Sequence, residues 1–474
     1  VYYRDVNRLS KPVKHLFKGV EEMMKKILIL AMAVMLIVTA AGCKKKTAEA
    51  PASDVKAALS IEPGAKIKLG LDNDLWGAAV VELWNKTYPE YAGIVEYTNF
   101  GSAGGVDQIG LLQGEAPDVS LVIDGEVLRQ VQSLATLPAA IANVASRVAQ
   151  EPFYSNINKS RALYVPVAYD GMTFAWNKTM VEALGIDTKD ADNDGLPDAF
   201  DTWEEIFAWS ASLKTRPQYK GKDVNIVFPM SLGNQWSYYS SFTSSGWQIF
   251  AEGDPVKPGF DKDSFKASLE FLQAASKANI SVEANGAKTP GASMGWRWDD
   301  FLNAEISPFG LVGTWMDVNG AEAATTSDFK FSRMPTWKGN QLSPLVKTKG
   351  LVINGFTKFP LAAAELLKLM LTKEGMQAMI DNSSYIPALR KGAPTAPDYS
   401  KDVNKQEMSA GFAFNYPEPS MSLPNNPAQA AMNVYYNILI EQSYYGVWDG
   451  TRTPSEAQAE IVKNANAWIQ ENNK

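Results

Sequence analysis

The chain has 474 residues, 52 acidic against 45 basic, a formal net charge of −7, one cysteine and one histidine. The acidic balance argues against a nucleic-acid partner, and a single cysteine excludes an intrachain disulfide. His15 and Cys43 both precede the body of the chain, so zinc sites, Ser/His/Asp triads and Cys/His pairs are excluded from it; carboxylates, lysine, hydroxyls or an oxygen-bound metal remain.

Residues 23–43, MMKKILILAMAVMLIVTAAGC, run from two lysines through an uncharged apolar stretch to small residues and a cysteine. The apolar run is short for a spanning helix and has the layout of a secretory signal. Ala40, Ala41 and Gly42 before Cys43 resemble the lipobox of bacterial lipoproteins, with Ala40 where Leu is commoner. That resemblance implies lipid attachment at Cys43 and a membrane anchor; the alternative is a soluble secreted protein cut near Gly42. Residues 1–22 precede the signal and read as a start placed too far upstream, because Lys18-Gly19-Val20 can be encoded by a purine-rich ribosome-binding site. Taking away residues 1–43 removes seven basic and three acidic side chains and leaves a body near −11.

Residues 44–65 are polar, Ala-rich and carry two prolines, the composition of a tether. From Lys66, KIKLGLD alternates Ile67, Leu69 and Leu71 as a strand, and a helical stretch follows to VVELWNKTYPEY. PDVSLVID ends in an apolar run typical of a strand buried on both faces. Strands alternating with helices predict an α/β protein, and roughly 410 residues exceed one ordinary core, so two lobes are expected.

DADNDGLPDAFD, residues 190–201, places Asp190, Asp192, Asp194, Asp198 and Asp201 at positions 1, 3, 5, 9 and 12, the Leu196 carbonyl at 7 and Gly195 at 6. This is the oxygen-ligand spacing of a calcium loop, with glycine at the sharp turn. Pro197 at position 8 lacks the N–H through which paired loops join, no helix enters, and there is no second loop. A structural Ca2+ that staples the next helix is therefore expected, away from any ligand, with Thr202 and Glu205 forming a capping box. Farther on, Phe265, Leu269 and Leu272 mark one helix face. Thr453, Pro454 and Glu456 open a last helix buried along Ala457, Ile461, Ala465 and Trp468.

The succession of LLQGEAPDVSLVID, YVPVAYDGMTFAWNKTMVEALGID, DTWEEIFAWSASLK, FLNAEISPFGLVGTWM, RMPTWKGN, LLKLMLTKEGMQAMIDNSSYIPAL and SLPNNPAQAAMNVYYNILIEQSYYG spans residues 66–474. It resembles the extracellular solute-binding proteins of ABC importers, in the branch that includes maltose-binding protein. The resemblance implies a type II-like periplasmic-binding fold of two α/β lobes joined by hinge crossovers. Lobe 1 would take residues 66–168 and 332–380, lobe 2 residues 173–331 and 381–474. It also implies a ligand held in the interlobe cleft, a permease pair and an ATPase as partners, a periplasmic or cell-surface location, a monomer and no enzymatic activity.

Aromatics cluster where the family brings pocket residues: Trp236, Tyr238, Tyr239, Trp247, Trp296, Trp298, Trp315, Tyr435 and Tyr436. Sugar rings stack on aromatics and their hydroxyls need in-plane acceptors, which favours a neutral sugar or oligosaccharide as ligand. The candidate ligand set is Asp72, Asp74, Trp76, Asp124, Asp170, Trp236, Tyr238, Trp296, Trp298, Trp315, Asn433 and Tyr436. Within it Trp315 matches the family's pocket motif and Asp170 an acidic ligand position, while Asp124 can equally cap the next helix. Val122, Gly125 and Glu126 stand where maltose-binding protein has its first-lobe contacts, which makes maltose a poor fit. Other classes remain open: a carbohydrate-active enzyme using two carboxylates, a calcium-dependent adhesin, or a receptor for a non-sugar solute or for chemosensing. No GxxxxGK[ST] loop is present for ATP.

Overall fold

The computed structural model describes residues 59, 61–224, 228–229, 231, 235–278, 281–282, 288–289, 297–416, 421–430, 435 and 439–474. The signal, Cys43 and most of the tether lie outside this set. Among the described residues no helix is long and apolar enough to cross a membrane.

The principal elements, in chain order, are β1 (Ile67–Leu71), α1 (Asp74–Thr87), β2 (Val95–Asn99), α2 (Gly105–Leu112), β3 (Val119–Ile123), β4 (Val165–Asn177), α3 (Trp203–Ser212), α4 (Gln235–Thr243), α5 (Asp263–Ala278), β5 (Phe309–Gly313), β6 (Phe329–Ser332), β7 (Val346–Ile353), α6 (Pro360–Met370), α7 (Lys373–Asp381), α8 (Val403–Phe412) and α9 (Pro454–Asn472). β1 pairs in parallel with β2 and β3, which have crossover helices between them. β7 then runs antiparallel between β3 and β4.

Strand β4 organises the molecule. All 13 of its residues are buried, so its backbone groups must be satisfied by neighbouring strands and not by water. Its first half, Val165 to Gly171, pairs with β7. Its second half pairs with β5 from Met172 to Trp176 on one edge and with β6 from Phe174 to Asn177 on the other. One strand thus belongs to two sheets.

The side chains divide at the same place. Ala168 belongs to an apolar cluster with Leu69, Trp84, Leu121, Leu351 and Leu367, covered by α1, α6 and α7. Tyr169 belongs to a second cluster with Phe174, Trp203, Phe265, Leu311 and Tyr444. The chain returns to the first cluster at Leu351 and re-enters the second at Ile386. Met334, Leu342, Leu345 and Val346 pack with the second cluster, so the return falls later than residue 332. The segment after β6 forms a small hairpin, Thr336–Trp337 with Asn340–Gln341, whose Trp337 ring meets Phe207 and Phe271. That aromatic contact holds it on lobe 2.

Local signals behave as their chemistry requires. Thr202 and Glu205 form the capping box of α3, and Thr453 and Glu456 that of α9. Phe265, Leu269 and Leu272 are fully buried, as are Ala457 and Ile461. Gly350, beside the register shift in β7, has its missing side-chain position 2.3 Å from the Tyr164 ring and 2.4 Å from the Val165 carbonyl. Gly350→Ala is expected to destabilise the protein by about 1–3 kcal/mol or more through overpacking, read as a lowered urea midpoint.

Candidate functional site

The C-terminal end of β1 delivers Asp72 to a compact polar group. Its carboxylate accepts from Lys349 Nζ at 2.8 Å and from the hydroxyls of Ser102 and Tyr385. Lys349 is 8% exposed and Tyr385 5%, so the ion pair is shielded from salt and water. Burial acts to raise the Asp72 pKa, but the Lys349 charge and the three hydrogen bonds outweigh it and hold the carboxyl below its ordinary value. Burial and the Asp72 charge together push the Tyr385 phenol up. Trp76 sets its edge against Tyr385, ring centroids 5.9 Å apart.

Asp170 sits in β4 directly across from Lys347 of β7. It is 4% exposed. No described residue hydrogen-bonds its carboxylate. Burial pushes this carboxyl up, the Lys349 and Lys347 charges pull it down, and the Asp72 charge pushes it up; the net direction is upward. Lys347 and Lys349 lie two apart in a strand and therefore on one face. Among the described residues, two carboxylates and two ammoniums meet on that face.

From lobe 2 comes an aromatic wall. Trp315 follows β5, Trp236 opens α4 and Trp298 starts a short helix, Trp298–Leu302. Trp315 stands between the others, 5.2 Å and 72° from Trp236 and 5.7 Å and 69° from Trp298. All three are partly exposed. Lys347 Nζ lies 5.6 Å from the Trp236 centroid, within cation–π range, and so joins the wall to the charged group. Ser384 Oγ, beside Tyr385, donates to the Thr314 carbonyl at 3.0 Å, a second link.

Asp72, Asp170, Trp236, Trp298 and Trp315 thus come together around the shared strand, while Trp76, 2% exposed, is part of the lobe 1 core behind Tyr385. Other expected ligand residues do not. Asp74 starts α1 and accepts from Tyr97 OH at 2.6 Å and Asn99 Nδ2 at 2.8 Å, bonds that hold its pKa below the usual range. Asp124 Oδ2 accepts from the Thr348 N–H at 2.8 Å and hydroxyl at 3.0 Å, tying β3 to the far face of β7. It is a fold residue, and the end of β3 needs it because Thr348 is fully buried. Tyr238 corrects the expectation most plainly: it is 2% exposed and packs on Phe242 and Tyr444 in the lobe 2 core. Tyr239, Trp247 and Tyr435 are buried in that core as well. Trp296, Asn433 and Tyr436 lie outside the described residues.

Sequence reasoning missed Lys347, Lys349 and Tyr385. VKTKGLVI did carry a signal, since two lysines on one face of an otherwise apolar strand must meet opposite charge or open space. A separate groove in lobe 2, between residues 246–264 and α9, is lined by Trp247, Glu252, Lys257 and Lys262 and has no part in this group.

In the loop 190–201, Asp190, Asp192 and Asp194 each bring a carboxylate oxygen within 4.8 Å of the others. Asp190 also accepts from the Asp194 and Gly195 N–H groups at 3.3 and 3.0 Å, and Gly195 has φ +93°, which a side chain would oppose. Hard, anionic oxygens converging on a tight loop fit calcium. Leu196 is fully buried and anchors the loop to the lobe 2 core. Asp198 accepts from the Ala191 N–H at 2.9 Å. Arg333 Nε donates to Asp194 Oδ2 at 2.8 Å, and Arg333 Nη2 reaches Asp201 Oδ1 at 3.4 Å. Burial and the Asp194 charge push the Asp201 carboxyl up to about 6, against Arg333. The arginine, 132 residues away from Asp201, had no signal in the loop motif.

A family model described as bacterial extracellular solute-binding protein matches residues 81–407. No curated protein matches the chain in sequence. Among solved structures, one titled "Crystal structure of cyclo/maltodextrin-binding protein complexed with maltotetraose" is similar with a TM-score of 0.65 at 16% identity, covering 86% of this chain and 98% of that one. The similarity is one of fold: two α/β lobes.

Because Asp170 is raised by burial, ionising it costs the fold stability as pH rises through its folded pKa. Asp170→Asn is expected to raise the thermal midpoint at pH 7 relative to wild type, with the gain shrinking at acidic pH, measured by calorimetry.

Proposed function

The chain belongs to the bacterial extracellular solute-binding proteins, and from that premise we propose that it captures a neutral sugar or oligosaccharide between its lobes and delivers it to an ABC importer. One observation carries this reading: the Trp236–Trp315–Trp298 wall stands beside a buried, charge-balanced group that includes Asp170. Partly exposed indole faces suit the apolar C–H faces of a sugar ring, and carboxylates suit its hydroxyls. A charged solute would upset the balance of Asp72, Asp170, Lys347 and Lys349 in a low-dielectric site. The structural neighbour holds maltotetraose by its title, which favours a saccharide over an amino acid. The family places the protein outside the cytoplasm, in the periplasm or at the cell surface. A lipid anchor at Cys43 would keep it at the membrane near a permease pair and its ATPase.

The test is a thermal-shift screen with mono- and oligosaccharides, uronic acids, amino acids and polyols. A cognate neutral saccharide at a hundred times its dissociation constant should stabilise the fold by about 2.7 kcal/mol. Trp315→Ala should weaken that binding about two- to tenfold, since aromatic ring contacts are worth about 0.5–1.5 kcal/mol. A shift from amino acids alone would overturn the sugar reading.

We also propose that Asp190, Asp192 and Asp194, with the Leu196 carbonyl and with Asp198 and Asp201 completing the set, hold a structural Ca2+. The support is the convergence of three carboxylates on a loop that runs into the capping box of α3. The ion would supply fixed positive charge there and no chemistry. Chelation should lower the thermal midpoint and leave saccharide affinity unchanged, while restoring calcium returns the midpoint. An emptied pocket with an unchanged midpoint would contradict a structural role.

A further inference from the structure

We propose that Lys349 is the positioning residue of the cleft: its ammonium orients Asp72 as a support and keeps the neighbouring Asp170 charged as the acceptor for the hydroxyls of the bound solute. What that acceptor binds rests on the sugar-receptor reading above; the arrangement itself does not.

The geometry is specific. Lys349 projects from a central strand, is 8% exposed, and places Nζ 2.8 Å from Asp72 Oδ2, 3.3 Å from Tyr385 OH and 4.9 Å from the Tyr385 ring centroid. A carboxylate offers about four acceptor sites. Asp72 gives its own to Lys349, Ser102 and Tyr385, which fixes its orientation and leaves little for a ligand. Asp170 accepts from no described residue, so its acceptor sites are the ones a solute can use. A buried ammonium with one bonded carboxylate and a second within its field is more than a core pair needs. A structural ion pair would be complete with Asp72 alone.

Among the described residues, charged and titratable groups reach this centre from several elements. Asp72 follows β1, Tyr97 lies on β2, Tyr164 precedes β4, Asp170 lies on β4, Lys347 on β7 and Tyr385 after α7. Among the described residues Lys347 is the other cation near this group, with Nζ 5.6 Å from the Trp236 ring. Removing Lys349 takes away the charge that favours ionisation of both carboxyls, and like charges in a shared site drive one of them to take a proton.

The experiment compares wild type with Lys349→Met and Lys349→Arg in the full chain. Aspartate-selective 13C-carboxyl NMR, with the Asp170 signal assigned by its loss in Asp170→Asn, reads the titration directly. Calorimetric binding of maltotetraose from pH 8 to pH 5 reads the consequence. In Lys349→Met the Asp170 signal should titrate at higher pH than in wild type, and affinity should begin to fall at correspondingly higher pH than in wild type as the pH is lowered from 8 to 5, in step with the Asp170 titration. Lys349→Arg should restore both profiles. If Lys349→Met does not fold, Lys349→Gln, which keeps a donor for Asp72 without the charge, carries the same comparison. An Asp170 titration that is the same in wild type and the uncharged variants overturns the proposal and leaves Lys349 a purely structural pair. If wild type does not bind maltotetraose, that choice of saccharide fails, and the NMR titration still decides the role of Lys349.

Discussion

A buried strand has to satisfy its backbone along both edges, and in this protein one strand does so in two sheets at once. The N–H and C=O groups of β4 have no water to turn to. They are met by β7 over the first half and by β5 and β6 over the second. The changeover falls at Tyr169 to Met172, where the apolar clusters also change. Everything proposed for the cleft sits within reach of that changeover, because it is where side chains of both lobes are held against one rigid element.

The chemistry of the site follows from its depth. Taking carboxylates and ammoniums out of water is costly unless they are paired. Asp72 and Lys349 meet that condition with additional hydroxyl donors. Asp170 does not meet it fully, and burial pushes its carboxyl up. A carboxylate kept in such a position costs the fold stability. The edge-to-face tryptophans add apolar surface beside it without adding charge. In the aspartate loop, Asp194 and Asp201 meet Arg333 and the chain runs on into the start of α3.

Much of the fold was legible because its signals are short. The Thr202–Glu205 and Thr453–Glu456 boxes close over three residues, and the stripe of α5 repeats with the helical turn. Trp315 and Asp170 were singled out through family motifs, which carry tertiary information in linear form. Tyr238 was not distinguishable from Trp236, two residues away, because on α4 the two differ only in direction: one faces the lobe 2 core and the other the wall. Asp124 looked like a pocket acid because it ends a buried strand, yet the β7 backbone uses it first.

By itself the sequence determined the α/β alternation, the caps, the spacing of the aspartate loop, and the exclusion of histidine- and thiol-based chemistry. These depend on composition or on bonds that close within a turn or two, so residue order is enough to specify them. Only the tertiary structure decided which acids are tied into the fold and which are left without a hydrogen-bond partner among the described residues. Asp72 and Lys349 are 277 residues apart, and their pairing depends on the register of β7 between β3 and β4. A one-residue slip in that register would turn Lys347 and Lys349 to the other face of the sheet. No local pattern encodes that choice, since it is made when the buried faces of two lobes are packed onto one strand.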